Sequence, residues 1–343
     1  MKGRQILLDH IEGHAAAALM VDGRLEDFVL DTETDAPQPN AIYRAVADRQ
    51  LKGMHGVMLK LGNGQTGFLK EARGVKPGEP MTVQISTFAE GRKAPPVSAR
   101  LLFKSRYVIV TPEAPGINVA RSIRDEEERV RLLELAHEAF EGVAHGLILR
   151  SACAEEEADA ILADIDRMLG VCSDVLADDS REPQLLLEAP SAGEVAWAEW
   201  TTPAPDEIVD AEGCFESHDI WQHIEALKSP RVPLEGGAYM YVEPTRALVA
   251  IDINTGADFS PAAALKANIS ASRALPRALR LRGLGGQITV DFAPLAKKDR
   301  RQIEQIIKAA FKKDSIDTMI LGWTPLGHLE LQRKRARLPL VLP

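Results

Sequence analysis

The sequence predicts a mixed α/β chain built from several subdomains, and three observations carry that expectation. Between residues 41 and 102, short apolar runs are punctuated by glycine at the spacing of a small barrel. Beyond residue 236, strand-like runs alternate with segments of helical period, the pattern of α/β packing. Hydrophobic residues make up 45% of 343, enough for more than one core, yet no run approaches the length of a membrane span.

From the N-terminus, the runs around Ile6-Leu7-Leu8 and Ala16–Val21 alternate with polar residues. Asp22-Gly23 after the second is a hairpin signal, and Asp31–Pro39 looks like a linker. The barrel strands are expected at Ile42–Ala47, His55–Leu61, Thr66–Leu69, Thr82–Ser86 and Ser98–Leu102, as in an OB-fold. Gly62-x-Gly64-x-x-Gly67 matches a dinucleotide-binding pattern, but a strand follows it and no βαβ unit surrounds it, so that reading fails. Further on come a strand at Tyr107–Val110, a helix near Asp125–Phe140 with an acidic first turn, a strand at Gly146–Arg150 and a helix near Glu155–Leu169. Short strands are expected near Leu185–Glu188 and Val195–Trp200, then a helix capped by Ser217. The last third reads as strands Tyr239–Glu243 and Ala247–Ile253, a helix Pro261–Arg280, a strand Gln287–Phe292 and a helix Lys297–Lys313 with one apolar and one basic face.

The formal net charge is −9, unfavourable for a nucleic-acid binder, but its distribution is uneven. Residues 266–337 hold 16 Lys+Arg against 6 Asp+Glu, while the rest of the chain carries a surplus of 19 negative charges. Such a basic third suits a phosphate backbone, or is simply a solvated surface. The cysteines Cys153, Cys172 and Cys214 are far apart, with no zinc spacing or disulfide framework. No signal peptide is recognisable at the start, which points to the cytoplasm.

Two carboxylates stand out. Asp252 interrupts the apolar run Leu248–Ile253, and Asp291 ends the run Ile288–Val290. Near a core strand, each needs a counter-ion: an arginine such as Arg280 or Arg282, or a metal. Asn254 lies two residues beyond Asp252, on the same face of a strand. Two carboxylates and an amide oxygen make an all-oxygen site suited to Mg²⁺, which takes one or two carboxylates and keeps several waters. The scattered His55, His145, His218, His223 and His328 receive no role.

Three blocks resemble the RNase E/G ribonucleases: Gly236–Tyr239 with Val242–Asn254, Arg277–Phe292, and His328–Arg335. They come in the family's order and at about its spacing. The resemblance implies an RNase H-like subdomain interrupted by an S1-type OB-fold, then a 5′-sensor region and a DNase I-like catalytic subdomain. The corresponding segments are 1–38, 39–102, 103–182, 183–229 and 230–343. It implies Asp252 and Asp291 as metal ligands and Asn254 as a catalytic residue.

For RNA binding, the resemblance implies Phe68 as a stacking aromatic, a barrel-core role being the alternative, and Lys93 as a basic contact. Arg280, Arg282, Arg333 and Arg335 are candidates for backbone contacts. Arg121, Arg150 and Ser151 match the sensor of a 5′-monophosphate, whose recognition suits guanidinium and hydroxyl donors. The chain departs from the family at Met58, where a second aromatic is expected, and at Asp317, near a further sensor arginine. It departs again at Thr255–Asp258, where a basic residue usually follows the asparagine. No C-x-x-C zinc-link is present, so neither zinc nor higher assembly is expected, leaving a monomer or homodimer. The implied activity is Mg²⁺-dependent endonucleolytic cleavage of single-stranded RNA, in rRNA precursor processing and mRNA decay, with no membrane partner. The alternatives are a cleavage-impaired RNA-binding relative and a metal-dependent hydrolase of a small phosphorylated substrate.

Overall fold

The protein is described by a computed structural model covering residues 3–31, 34–91 and 93–341. Thr32 and Glu33 of the expected linker lie outside the described residues. The chain divides into two compact units: Met1–Leu19 with Val29–Glu212, and Met20–Phe28 with Gly213–Pro343.

The chain opens with β1 (Arg4–Ile11), β2 (His14–Val21) and β3 (Arg24–Leu30). Asp22 and Gly23 form the turn before β3 with φ of 49° and 76°, the left-handed pair that a two-residue hairpin turn requires. In the first unit, β4 (Ile42–Leu51), β5 (Gly56–Gly62), β6 (Gln65–Lys70), β7 (Pro80–Ile85) and β8 (Pro96–Ser98) close into a five-stranded barrel, because β4 pairs with both β5 and β7. This is the architecture of an OB-fold. Its last strand falls a few residues earlier than expected. Of the rejected dinucleotide pattern, Gly64 makes the β5–β6 turn with Asn63, at φ of 75° and 48°, while Gly62 ends β5 and Gly67 lies within β6.

A second sheet follows, of β9 (Phe103–Lys104), β10 (Val108–Thr111), β11 (Gly116–Val119) and β12 (Gly146–Leu149), in the order β11-β12-β10-β9. Helices α1 (Glu126–Ala139) and α2 (Ala158–Leu176) share its core. Asp125 caps α1 by accepting from the amides of Glu127 and Glu128. The helix α2 runs two turns further than expected, because Cys172 and Val175 continue its buried stripe. All three cysteines are buried and none is in a disulfide, and burial pushes the Cys153 thiol up to about 12.

After β13 (Gln184–Leu187) the expected strand at Val195–Trp200 is instead helical, as α3 (Ala192–Trp200). The reason is a capping box: Ser191 Oγ accepts from Glu194 N at 3.3 Å, and Glu194 Oε2 accepts from Ser191 N at 2.8 Å. β14 (Glu207–Asp210) then pairs in parallel with β1.

In the second unit, the single helix expected after Ser217 is two short ones, α4 (Cys214–Ser217) and α5 (Ile220–Ala226). Ser217 closes the first rather than capping the second: its hydroxyl donates to Cys214 O. A six-stranded sheet follows, built from β15 (Arg231–Pro233), β16 (Tyr239–Pro244), β17 (Val249–Asn254), β18 (Gly286–Asp291), β19 (Thr318–Trp323) and β20 (Leu329–Arg333). Its order is β15-β16-β17-β18-β20-β19. Only β17 and β18 are parallel, joined by the crossover helix α6 (Pro261–Leu281); α7 (Arg300–Lys312) follows β18. Period-two alternation sends Met240, Val242, Ile251, Ile253, Ile288, Val290, Leu329 and Leu331 into one core with α6 and α7. The other face of this sheet holds the polar residues. No helix among the described residues is long and apolar enough to cross a membrane.

Candidate active site

Asp252 and Asp291 are register partners on the adjacent parallel strands β17 and β18, and each stands at the carboxyl end of its strand. Neighbouring strands lie about 4.8 Å apart, so both carboxylates rise side by side from the polar face. Both are exposed, with the Asp291 side chain at 61%. The carboxyl ends of parallel strands, where loops diverge, are the usual ligand sites of α/β sheets.

Asn254, two residues along β17, shares that face, and its Nδ2 donates to Asp252 Oδ2 at 2.9 Å. This bond fixes one carboxylate oxygen and leaves the other, with the amide oxygen of Asn254, turned to solvent or a ligand. His328, just before β20, places Nε2 3.7 Å from Asp291 Oδ1. Sequence reasoning gave His328 no role. The available signal was its place at the head of the third block, directly before a strand pairing with β18.

Among the described residues no three His, Cys, Asp or Glu side chains converge as a metal cage. A pair of carboxylates with an amide fits Mg²⁺, which keeps much of its water shell. Loops 255–260 and 292–299 leave this same edge and lead into the N-termini of α6 and α7. Lys297, Lys298 and Arg301 stand exposed at the start of α7. Cations there oppose the helix dipole, an arrangement that an anionic ligand relieves.

The basic residues of the motif blocks divide sharply. The expectation that Arg280 and Arg333 contact an RNA backbone is corrected by their burial, at 8% and 1% exposure. They belong to an internal chain of alternating charge, Arg337–Asp27–Arg280–Asp314–Arg333. Arg337 grips Asp27 through both Nη atoms, Arg280 Nε lies 3.3 Å from Asp27, Arg280 is ion-paired with Asp314, and Arg333 Nη1 lies 2.6 Å from Asp314. Burial penalises the Arg280 charge, but Asp27, Asp314 and Glu26 outweigh it and hold its pKa up. Arg333 faces one of these carboxylates, so burial prevails and its pKa is lowered. Arg282 is half-buried and donates to Ser229 O at 2.9 Å. Arg335 packs its guanidinium against Gly286, where positive φ and a missing Cβ make room.

Comparison with known proteins bears on this arrangement. The sequence model of the Ribonuclease E/G family matches residues 103–213 and 196–336, a span that includes the carboxylate pair and all three motif blocks. The chain belongs to the ribonuclease E/G family. It is 25% identical to Ribonuclease G of Salmonella typhimurium, over 97% of this chain and 80% of that protein. It is 26% identical to Ribonuclease E of Nostoc sp., over 97% of this chain and 56% of that protein, and 27% identical to Ribonuclease E of Synechocystis sp., over 94% and 56%.

Other positions implied by the ribonuclease E/G resemblance lie in the first unit. Phe68 is outside the barrel core: Gly67 and Leu69 point inward, while Phe68 lies half-buried beside its register partner Met58 and over Gly56. Lys93 is exposed and paired with Glu90 at 2.7 Å. Arg121 and Ser151 each follow by two residues the register partners Val119 and Leu149, so they stand at one end of the parallel pair β11–β12. Arg150 is engaged there, donating to the carbonyls of Ser105, Arg106 and Ala198 and to Glu199 Oε2 at 2.9 Å. Glu199 thus already partners this guanidinium.

Proposed function

We propose that this chain is an endoribonuclease that cuts single-stranded RNA at the Asp252–Asp291 pair. The observation carrying this reading is the register of the two carboxylates on adjacent parallel strands, exposed at their carboxyl ends, with Asn254 bonded to Asp252. The ribonuclease names of its relatives support it. On this reading the chain comprises an RNase H-like part (1–38 and 183–229), an S1-type barrel (39–102), a 5′-sensor region (103–182) and a DNase I-like catalytic part (230–343). It acts in the cytoplasm, as monomer or homodimer, on rRNA precursors and mRNA.

Asp252 and Asp291 would hold Mg²⁺, and Asn254, bonded to Asp252, would keep that carboxylate oriented for it. When bound, the ion supplies Lewis-acid chemistry: it neutralises charge building on the phosphate and makes water a better nucleophile. Lys297, Lys298 and Arg301 draw the phosphate backbone to this edge, the role that buried Arg280 and Arg333 cannot take. Arg282 and Arg335 remain partial contributors, and Phe68 and Lys93 bind the strand at the barrel. Water forms the new P–O bond and the 3′-oxygen departs with a proton, leaving 5′-phosphate and 3′-hydroxyl ends.

A cleavage-impaired RNA binder is the second reading, favoured by Thr255–Asp258, which puts an acidic side chain where a cation is expected. The deciding experiment is cleavage of a short A/U-rich single strand with Mg²⁺ by wild type and Asp252→Asn. Cutting by wild type alone is expected. Intact binding without cutting at any Mg²⁺ concentration overturns the enzyme reading in favour of the second.

A further inference from the structure

Beside the carboxylate pair, the polar sheet face carries a cluster to which none of the implied roles is assigned; of its members only Tyr239 lies within a motif block. Tyr239 and Tyr241 both point to that face from β16, and across the β16–β17 pair Tyr241 is the register partner of Asp252 and Tyr239 that of Asn254. Both rings are half-buried, on the face opposite the core shared with α6 and α7. They meet edge-on, with centroids 5.6 Å apart at 81°. The guanidinium of Arg231, from β15, lies 4.2 Å from the centre of the Tyr239 ring. Arg231 is exposed, and among the described residues no carboxylate pairs with it.

We propose that Arg231, Tyr239 and Tyr241 form a base-stacking subsite for an unpaired base of the RNA strand, next to the phosphate held at Asp252 and Asp291. Two considerations carry this. Unpaired bases bind by stacking on aromatic rings and on guanidinium planes, and this cluster supplies both on one strip of sheet. Antiparallel register partners stand about 5 Å apart, so a base on these rings belongs to a nucleotide adjoining the one whose phosphate meets the carboxylates. An unpaired cation beside them suits the same strand's backbone.

The inference rests on the nuclease reading for its substrate, but its test needs no cleavage. Full-length protein in EDTA is titrated with a fluorescein-labelled single-stranded RNA decamer, and with decamers carrying one abasic ribose at each position in turn. In wild type, one or two positions are expected to lose affinity on base removal by roughly 5- to 100-fold. In Tyr239→Ala and Tyr241→Ala those positions become silent, while positions read by the barrel keep their penalty. Tyr241→Phe and Arg231→Lys separate stacking from folding and charge: Tyr241→Phe retains the profile, whereas Arg231→Lys weakens it at the same positions. If the alanine variants leave every positional penalty unchanged, or wild type shows no affinity for the decamer, the subsite does not exist. Absence of cutting with this profile intact overturns the nuclease reading instead and leaves the subsite standing.

Discussion

Asp252 and Asp291 cost the fold little where they stand, because their carboxylates reach solvent rather than a core. Their desolvation penalty is small, and they need no arginine to survive. Asp252→Asn and Asp291→Asn are therefore expected to leave the thermal unfolding midpoint unchanged while lowering cleavage on the order of 10²-fold or more, read by circular dichroism and by a timed cleavage assay. A large drop in midpoint would instead make the pair structural. The face shared by Asp252 and Asn254 was legible from period two alone. The same rule, applied to Leu329, Leu331 and Arg333, sends Arg333 inward, but basic residues are read as surface by habit. His328 heads the third block, but its place beside Asp291 was not legible, since that contact depends on pairing between strands nearly forty residues apart in sequence.

At the scale of elements, local chemistry that was present in the sequence decided where reading failed. Val195–Trp200 has the β-branched and aromatic content of a strand, yet Ser191 and Glu194 commit it to a helix from its first turn. Ser191→Ala is expected to cost about 1 kcal/mol, measured by urea unfolding, with Ser191→Asp largely preserving stability. The barrel strands were legible because short runs with apolar alternation are separated by glycine-containing turns such as Asn63-Gly64 and Gly74–Gly78. The strands β9 and β11, of two and four residues, carry too little periodicity to be seen, and exist because β10 and β12 offer them edges. The crossover β17–α6–β18 was legible as a unit, since a parallel pair requires a long connection and the helical stripe between them supplies it.

At the scale of the molecule, counting charges along the chain overstated its basic surface. Arg280, Arg333 and Arg337 are consumed internally by Asp27 and Asp314, leaving Lys297, Lys298 and their neighbours to face a ligand. Burial works against the Asp27 charge, but Arg337 and Arg280 prevail and hold its pKa below 3.8. A carboxylate so depressed adds stability above its unfolded pKa and loses that contribution as pH falls through its folded value. Asp27→Asn is thus expected to destabilise by roughly 3 kcal/mol at pH 7, and the gap to wild type should narrow below about pH 4. Urea titrations of both proteins at pH 7 and pH 3 check this; an unchanged gap would remove Asp27 from the account.

The alternating charges also constrain how this sequence can change over time. Each charge in Arg337–Asp27–Arg280–Asp314–Arg333 is compensated by its oppositely charged neighbours, so losing one leaves another partly uncompensated where little water reaches. Asp314→Asn or Arg333→Met alone is expected to be more harmful than the two together, a coupling that a double-mutant cycle reads directly. Drift at these positions must proceed in matched steps, through intermediates worse than either end. The residues that the nuclease motifs carry inside the protein are thereby locked to one another, independently of whether any RNA is ever cut.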